Sequence, residues 1–420
     1  MAATEETPDT LICHAVGATL QPTLRAGTLT RVKQEVGGVM GGHEWSAETK
    51  AAQALGWIEE TSGAVVMPVH PATTYLRDPD NLYRRGREYA RADNPSFDQP
   101  EALLAALEQG EDALVFSSGM AAATTCFLAL RPGDHVVAAE VMYWGLRGWL
   151  NGYAREWGLE VEFADMRDLS ALKARLRPGQ TRLVWIETPG NPLWHITDIA
   201  EAARLAHAAG SRLVVDSTVA TPVFTRPLAL GADIVMHSAT KYLNGHSDVL
   251  AGALITRTKD DYWQRIETMR VKLGSVLGPF EAFLLTRGMR TLFPRVRTAS
   301  ASAMKIARAM QNHPNVAEVL YPGLADYLGH DIAVRQMEGG FGGMLSIRVK
   351  GGEQAAIAAA ARVKLWKRAT SLGGVESLIE HRGSIEGAGS PCPLDLLRLS
   401  VGIEAADDLI TDLSAALADV

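Results

Sequence analysis

The apolar positions of this chain fall into two textures. From about residue 98 to 240, short unbroken apolar runs alternate with longer stretches in which apolar residues recur at helical spacing. The runs predict strands at 113–116, 135–139, 183–186, 213–215 and 234–236. An amphipathic helix is expected at 100–108, and another opens at Ser117-Ser-Gly-Met-Ala-Ala122. Continuous apolar strands separated by helices predict an α/β fold: a mostly parallel sheet covered on both faces, with the binding site at the strands' carboxyl ends. Beyond about 280 the pattern changes to a long helical stretch, 280–310, and then to a smaller α/β unit. That unit carries strands near 344–349 and 397–401 and an Ala-rich helix at 354–363. The first 60 residues have little periodicity and Gly-rich pieces such as Gly37-Gly-Val-Met-Gly-Gly42, so they read as an extended arm with a helix near 47–55. The expected organisation is an arm over 1–62, a large domain over 63–280 and a small C-terminal domain over 281–420.

Composition narrows the class without naming a chemistry. Of 420 residues, 47% are hydrophobic and 21% charged, as in an ordinary globular enzyme. A net charge of −7 argues against nucleic acid or an anionic membrane as the partner. Cys13, Cys126 and Cys392 are too few and too scattered for a disulfide framework or a zinc site, so no metal is expected and a reducing compartment is. No apolar run reaches the length needed to span a bilayer, and the start Met1-Ala-Ala-Thr-Glu-Glu lacks the basic region of a signal peptide. The expected location is the cytoplasm.

Two polar residues stand at the ends of apolar runs, where their chemistry matters. Asp216 follows Leu213-Val-Val, and a carboxylate in that position is costly without a cationic partner. A helix cap or a metal ligand would also account for it, but no His or Glu accompanies it at ligand spacing. Lys241 follows Ile234-Val-Met and two hydroxyls, Ser238 and Thr240. An amine where a buried strand meets a pocket loses its proton readily and becomes a nucleophile toward carbonyls, which is Schiff-base chemistry. A lone lysine after a strand is otherwise a solvated lysine. Arg398 lies between apolar neighbours in Leu397-Arg-Leu-Ser-Val-Gly-Ile403 and should face an anion, with a salt bridge to an acid such as Glu404 as the alternative.

The segment Asp233-Ile-Val-Met-His-Ser-Ala-Thr-Lys-Tyr-Leu-Asn-Gly-His-Ser247 resembles the pyridoxal-phosphate attachment signature of the Cys/Met-metabolism (trans-sulfuration) enzymes. The resemblance runs from about residue 64 to the C-terminus and implies a fold-type I pyridoxal-phosphate enzyme, with Lys241 holding the cofactor as a Schiff base and moving the substrate's α-proton. It implies that Gly119 and Met120 bind the cofactor phosphate with their amides, beside Thr218, Ser238 and Thr240. Tyr143 would stack on the pyridine ring and assist proton transfer, and Asp216 would face the ring nitrogen. Ser217 departs from the Asn often found there in the family. Tyr89 and Arg91 would reach the phosphate of a partner subunit, which makes the active unit at least a dimer and the assembly a homotetramer. Asn191, Ser371 and Arg398 would bind the amino-acid substrate.

The reaction itself is less determined. Ser371-Leu-Gly-Gly-Val-Glu-Ser377 resembles the branch that works at the γ carbon, but Thr370 stands where that branch typically carries a glutamate. The expectation is γ-elimination or γ-replacement on a γ-substituted amino acid, with β-cleavage of cystathionine as the alternative. A cofactor-free regulatory scaffold would require the lysine to be lost.

Overall fold

The computed structural model describes residues 44–387 and 389–418. The expected arm up to residue 43 therefore lies outside the described residues. The helix expected near 47–55 is a short one, Ala47–Ala52, capped by Ser46 and followed by a single tight turn at Ala54–Gly56.

Seven strands form the first sheet: β1 (Asp112–Phe116), β2 (His135–Ala139), β3 (Glu160–Ala164), β4 (Thr181–Glu187), β5 (Arg212–Asp216), β6 (Ile234–His237) and β7 (Gly252–Thr256). Their order is β1-β7-β6-β5-β4-β2-β3. Neighbours from β6 to β3 are parallel, whereas β7 runs antiparallel to both β6 and β1. Two antiparallel steps restore direction, so β1 points the same way as β6. The carboxyl ends of β1, β2, β4, β5 and β6 thus share one edge of the sheet.

Two of these strands lie outside the expected set. β3, Glu-Val-Glu-Phe-Ala, is an edge strand with exposed positions and no continuous apolar run. β7, Gly-Ala-Leu-Ile-Thr, is apolar and fully buried, and it returns the chain directly after the lysine segment. The helix expected at 100–108 begins earlier, at Pro95, because Asn94 caps it through the Ser96 amide and proline suits the first helical position. The single helical stretch expected over 280–310 is two helices, Pro279–Met289 and Leu292–Gln311. Pro294 has no N–H to give to Arg290, so the helix cannot run through and restarts with that proline in its first turn.

The second sheet contains β8 (Val316–Leu320), β9 (Met344–Val349), β10 (Lys367–Arg368), β11 (Leu378–His381) and β12 (Leu396–Ser400), in the order β10-β11-β12-β9-β8. Its own apolar cluster joins Leu345, Ile347, Leu397 and Leu399 to Ala356 of the helix Gly352–Arg362 and Leu413 of the helix Ala406–Ala418. Trp194, buried, donates from Nε1 to Ser346 Oγ at 2.9 Å, and Ser346 Oγ donates in turn to Pro192 O at 2.9 Å. These bonds tie the loop after β4 to β9, so the second sheet meets the first where the strand ends gather.

Candidate active site

A cavity of about 190 Å³ opens at the shared strand edge, lined by Gly119, Met120, Tyr143, Asn191, Asp216, Thr218, Ser238, Thr240 and Lys241 among others. Its floor begins after β1. Ser118 caps the helix Gly119–Leu128 by accepting from the Ala121 amide at 3.0 Å, which leaves the amides of Gly119 and Met120 without an intrahelical acceptor. A Cβ at Gly119 would stand 2.7 Å from Ser238 Oγ, so glycine is what lets this helix start meet the Ser238 hydroxyl. Thr218 lies beside them, accepting from the Ser238 amide at 2.8 Å. Thr240 also lines the cavity, but its hydroxyl donates to Ala251 O at 3.1 Å and accepts from the Ala251 amide at 3.0 Å. That hydroxyl fastens the entry to β7, and its one proton is already used.

Lys241 follows one turn later, its amide on Ser238 O at 3.0 Å. Its Nζ donates to Ser371 Oγ at 2.9 Å. Burial and the nearby Arg398 guanidinium bring its pKa down to about 8, against a weaker pull upward from Glu380. Beneath it the buried Arg295 donates to Tyr242 O at 2.9 Å and Gly288 O at 2.8 Å. Burial brings Arg295 down to about 10. Gly288 allows the close approach, since a Cβ there would meet Asn244 O at 2.3 Å.

Across the cavity, Asp216 at the end of β5 is buried. Its Oδ1 accepts from the Thr218 amide at 3.0 Å and the Thr218 hydroxyl at 2.6 Å, and it forms no ion pair among the described residues. Burial raises its pKa, with the Thr218 bonds and His237 pulling the other way. Glu187, paired with Asp216 in the β4–β5 ladder, is pushed well up by burial and by the Asp216 charge. Its two oxygens accept from the amides of Tyr143 at 2.7 Å and Asn191 at 2.9 Å, so one carboxyl group sets the loops after β2 and β4. Tyr143 itself is 40% exposed at the mouth.

Ser371 and Arg398 belong to the second sheet's side and reach the cavity through hydrogen bonds. Ser371 has φ 91, a left-handed conformation rare for a residue with a side chain. Its carbonyl accepts from Arg398 Nη2 at 2.8 Å, while Arg398 Nη1 donates to Asn191 Oδ1 at 3.2 Å. The acid suggested for Arg398 is corrected. Glu404 accepts instead from the Ser377 amide and hydroxyl, and the partner of Arg398 is Glu380, opposite it in the β11–β12 ladder, at 2.6 Å.

Tyr89 and Arg91 do not line this chain's cavity; they are exposed and stack on each other, with the guanidinium 5.4 Å from the ring centre. Thr370 is exposed. Sequence reasoning missed Glu187, Arg295, Glu380 and Arg382. Glu187 carried a usable signal, an acid ending the apolar run Leu183-Val-Trp-Ile, the same signal that singled out Asp216.

These residues fit pyridoxal phosphate. The buried Asp216 carboxylate awaits a cation, as a protonated pyridine nitrogen is, and the two free amides beside Ser238 suit a phosphate. A family model described as Cys/Met metabolism PLP-dependent enzyme matches residues 48–418. The chain belongs to the Cys/Met-metabolism family of PLP-dependent enzymes. Within that family it is 44% identical to a cystathionine γ-synthase of Mycobacterium bovis, over 88% of this chain and 96% of the relative. It is 40% identical to a cystathionine γ-lyase of Bacillus subtilis, covering 86% and 96%. It is 39% identical to a cystathionine β-lyase of Coxiella burnetii, covering 85% and 94%. The fold is that of the family, and the cofactor is pyridoxal phosphate.

Proposed function

We propose that this enzyme carries out γ-elimination or γ-replacement on an amino acid with a leaving group at its γ carbon. The observation that carries the cofactor chemistry is a lysine amine brought down to about 8, in the wall of a cavity that also presents the Asp216 carboxylate. The γ reading is supported by the Ser371–Ser377 string and by the γ-synthase and γ-lyase relatives. Pyridoxal phosphate, when bound, supplies a ring that accepts the electron pair left at the substrate's Cα.

The chain's own groups would divide the work as follows. The amides of Gly119 and Met120 and the Ser238 hydroxyl hold the phosphate, with Thr218 and Thr240 shaping its cradle. Asp216 keeps the ring nitrogen charged. Lys241 Nζ would hold the cofactor's carbonyl carbon at rest and, once the substrate's amine has displaced it there, would take the proton from Cα, with Tyr143 at the mouth assisting as donor or acceptor. For chemistry at the γ carbon a second proton must leave Cβ before the γ substituent can depart. Arg398, Asn191 and Ser371 hold and orient the substrate, the guanidinium taking the carboxylate. Tyr89 and Arg91, outside this cavity, serve the phosphate of a second subunit, in a cytoplasmic homotetramer of two active dimers. The working unit is divided at about residue 280, in keeping with two sheets that each have an apolar cluster.

Thr370 bears on the substrate. Without a carboxylate there, a distal ammonium group loses a charge-assisted contact usually worth about 1.5–3 kcal/mol, so cystathionine should bind weakly unless another acid replaces it. A product screen with cystathionine, methionine and O-activated homoserines tests the reading. Release of 2-oxobutanoate, or a γ-substituted homoserine product, is expected; homocysteine and pyruvate from cystathionine as the fastest reaction would overturn it in favour of β-cleavage.

A further inference from the structure

The contacts of Arg398 pose a problem for any carboxylate that approaches it. Nη2 already donates to Glu380 Oε2 at 2.6 Å and to Ser371 O at 2.8 Å. Both edges by which a guanidinium grips a carboxylate with two parallel bonds include Nη2. A substrate therefore meets an arginine whose gripping edges are held by an internal carboxylate and by the Ser371 carbonyl. Glu380, however, does not depend on Arg398 alone. The same Oε2 accepts from Arg382 Nη1 at 2.7 Å, and the other side of Arg382 is locked to Glu386 Oε1 by Nε at 3.1 Å and Nη2 at 2.8 Å. Both arginines are buried, and the two glutamates balance their charges.

We propose that Glu380 is a built-in competitor for Arg398, and that Arg382 is the second arginine onto which Glu380 is drawn when a substrate carboxylate takes Arg398. The proposal rests on Arg398 being the carboxylate-binding residue. Arg382 does not touch substrate. It is a positioning residue that holds Glu380 from the far side, so that the carboxylate released by Arg398 keeps a charged partner in a buried setting where losing one is costly. Glu386 keeps Arg382 aimed. In the substrate-free enzyme the shared carboxylate screens Arg398 from the nearby Lys241 amine. Substrate binding then exchanges one carboxylate for another without leaving either guanidinium unpaired.

The test is the dissociation constant of butanoate, a carboxylate without an amine, measured by calorimetry on the cofactor-loaded enzyme. Glu380→Gln keeps the shape and removes the competing charge, so butanoate should bind roughly threefold to tenfold more tightly. Unchanged or weaker binding would overturn the proposal, since Glu380 would then only prop Arg398 in place. Arg382→Met should weaken butanoate, because Glu380 is left with Arg398 alone, and the same change made in the Glu380→Gln background should have no effect. A persistent effect there argues against the exchange; if Arg382→Met does not fold, Glu380→Gln decides alone. Arg398→Lys separates the two readings. Wild-type affinity in that variant removes Arg398 from carboxylate binding altogether, whereas a loss there without a gain in Glu380→Gln overturns the exchange only.

Discussion

Lys241 and Ser371 stand 130 positions apart in the chain and meet at 2.9 Å, the amine donating to the hydroxyl. Lys241 comes from the loop between the neighbouring interior strands β6 and β7, and Ser371 from the approach to β11. The bond joins the two sheets at the point where the chemistry is proposed, and it makes the lysine's reactivity depend on both.

The amine should behave as a group titrating near 8 rather than near its solution value. Burial and the Arg398 charge both disfavour the ammonium, so the neutral, nucleophilic fraction grows as pH rises through about 8 and is nearly complete above it. The rate at which cofactor-depleted protein recaptures pyridoxal phosphate, followed by absorbance, should rise through that range and then level off. A rate still climbing beyond a pH of about 10, the solution range of a lysine, would place Lys241 in water. Borohydride reduction and peptide mapping should label Lys241 and no other lysine.

Ser371→Ala removes the hydroxyl but keeps the backbone. Loss of one such bond is worth about 0.5–1.5 kcal/mol, so turnover should fall by a few-fold to tenfold while the fold persists. Ser371→Gly should lose as much turnover, yet melt higher than the alanine variant, because only glycine adopts φ 91 without strain. Equal melting temperatures would mean that the left-handed conformation costs nothing.

Asp216→Asn keeps the Thr218 contacts in shape and removes the charge. Preorganised electrostatics of this kind contribute roughly 3–4 kcal/mol, so turnover should drop by a hundredfold or more with the cofactor still bound. Near-normal turnover would take Asp216 out of the site.

Arg91 lies outside its own chain's cavity, and its proposed role is in trans. Inactive Arg91→Ala and Lys241→Ala chains, mixed and reassembled, should recover part of the activity, since one class of shared site then holds both native residues. Verified mixed oligomers without recovery would confine Arg91 to its own chain.

What could be read in the sequence follows from how locally each signal is written. Asp216 and Lys241 each close an apolar run, and a charged group in that place is conspicuous without knowledge of the fold. The first sheet's strands were legible for the same reason, except for β3, whose edge position leaves glutamates among its apolar residues, and β7, a five-residue apolar run directly after the lysine segment. Tyr143, Asn191 and Ser371 became candidates only through a motif, since nothing in their own surroundings is unusual. Arg382 has its partners Glu380 and Glu386 only two and four positions away and was overlooked, whereas Glu380 and Arg295 were hidden for a physical reason. Glu380 meets Arg398 through ladder pairing between β11 and β12, and Arg295 meets the carbonyl of Tyr242 through helix packing, so each partner is supplied by a distant part of the chain.

The reversal of direction at β7 has one more consequence. The segment 238–251 leaves β6 and re-enters the sheet on the adjacent strand, so both its ends are stitched to strands that are paired on both sides. It is further closed by Thr240 on Ala251 and underpinned by Arg295. Buried amides along it, such as that of Gly245 on Lys241 O at 2.7 Å, are shielded by this closure, whereas Ser247, Asp248 and Leu250 are exposed. Hydrogen exchange at its buried amides should be slow. The seat of Lys241 is therefore formed before anything is loaded onto it, and emptying the enzyme of its cofactor should leave this segment as protected as before.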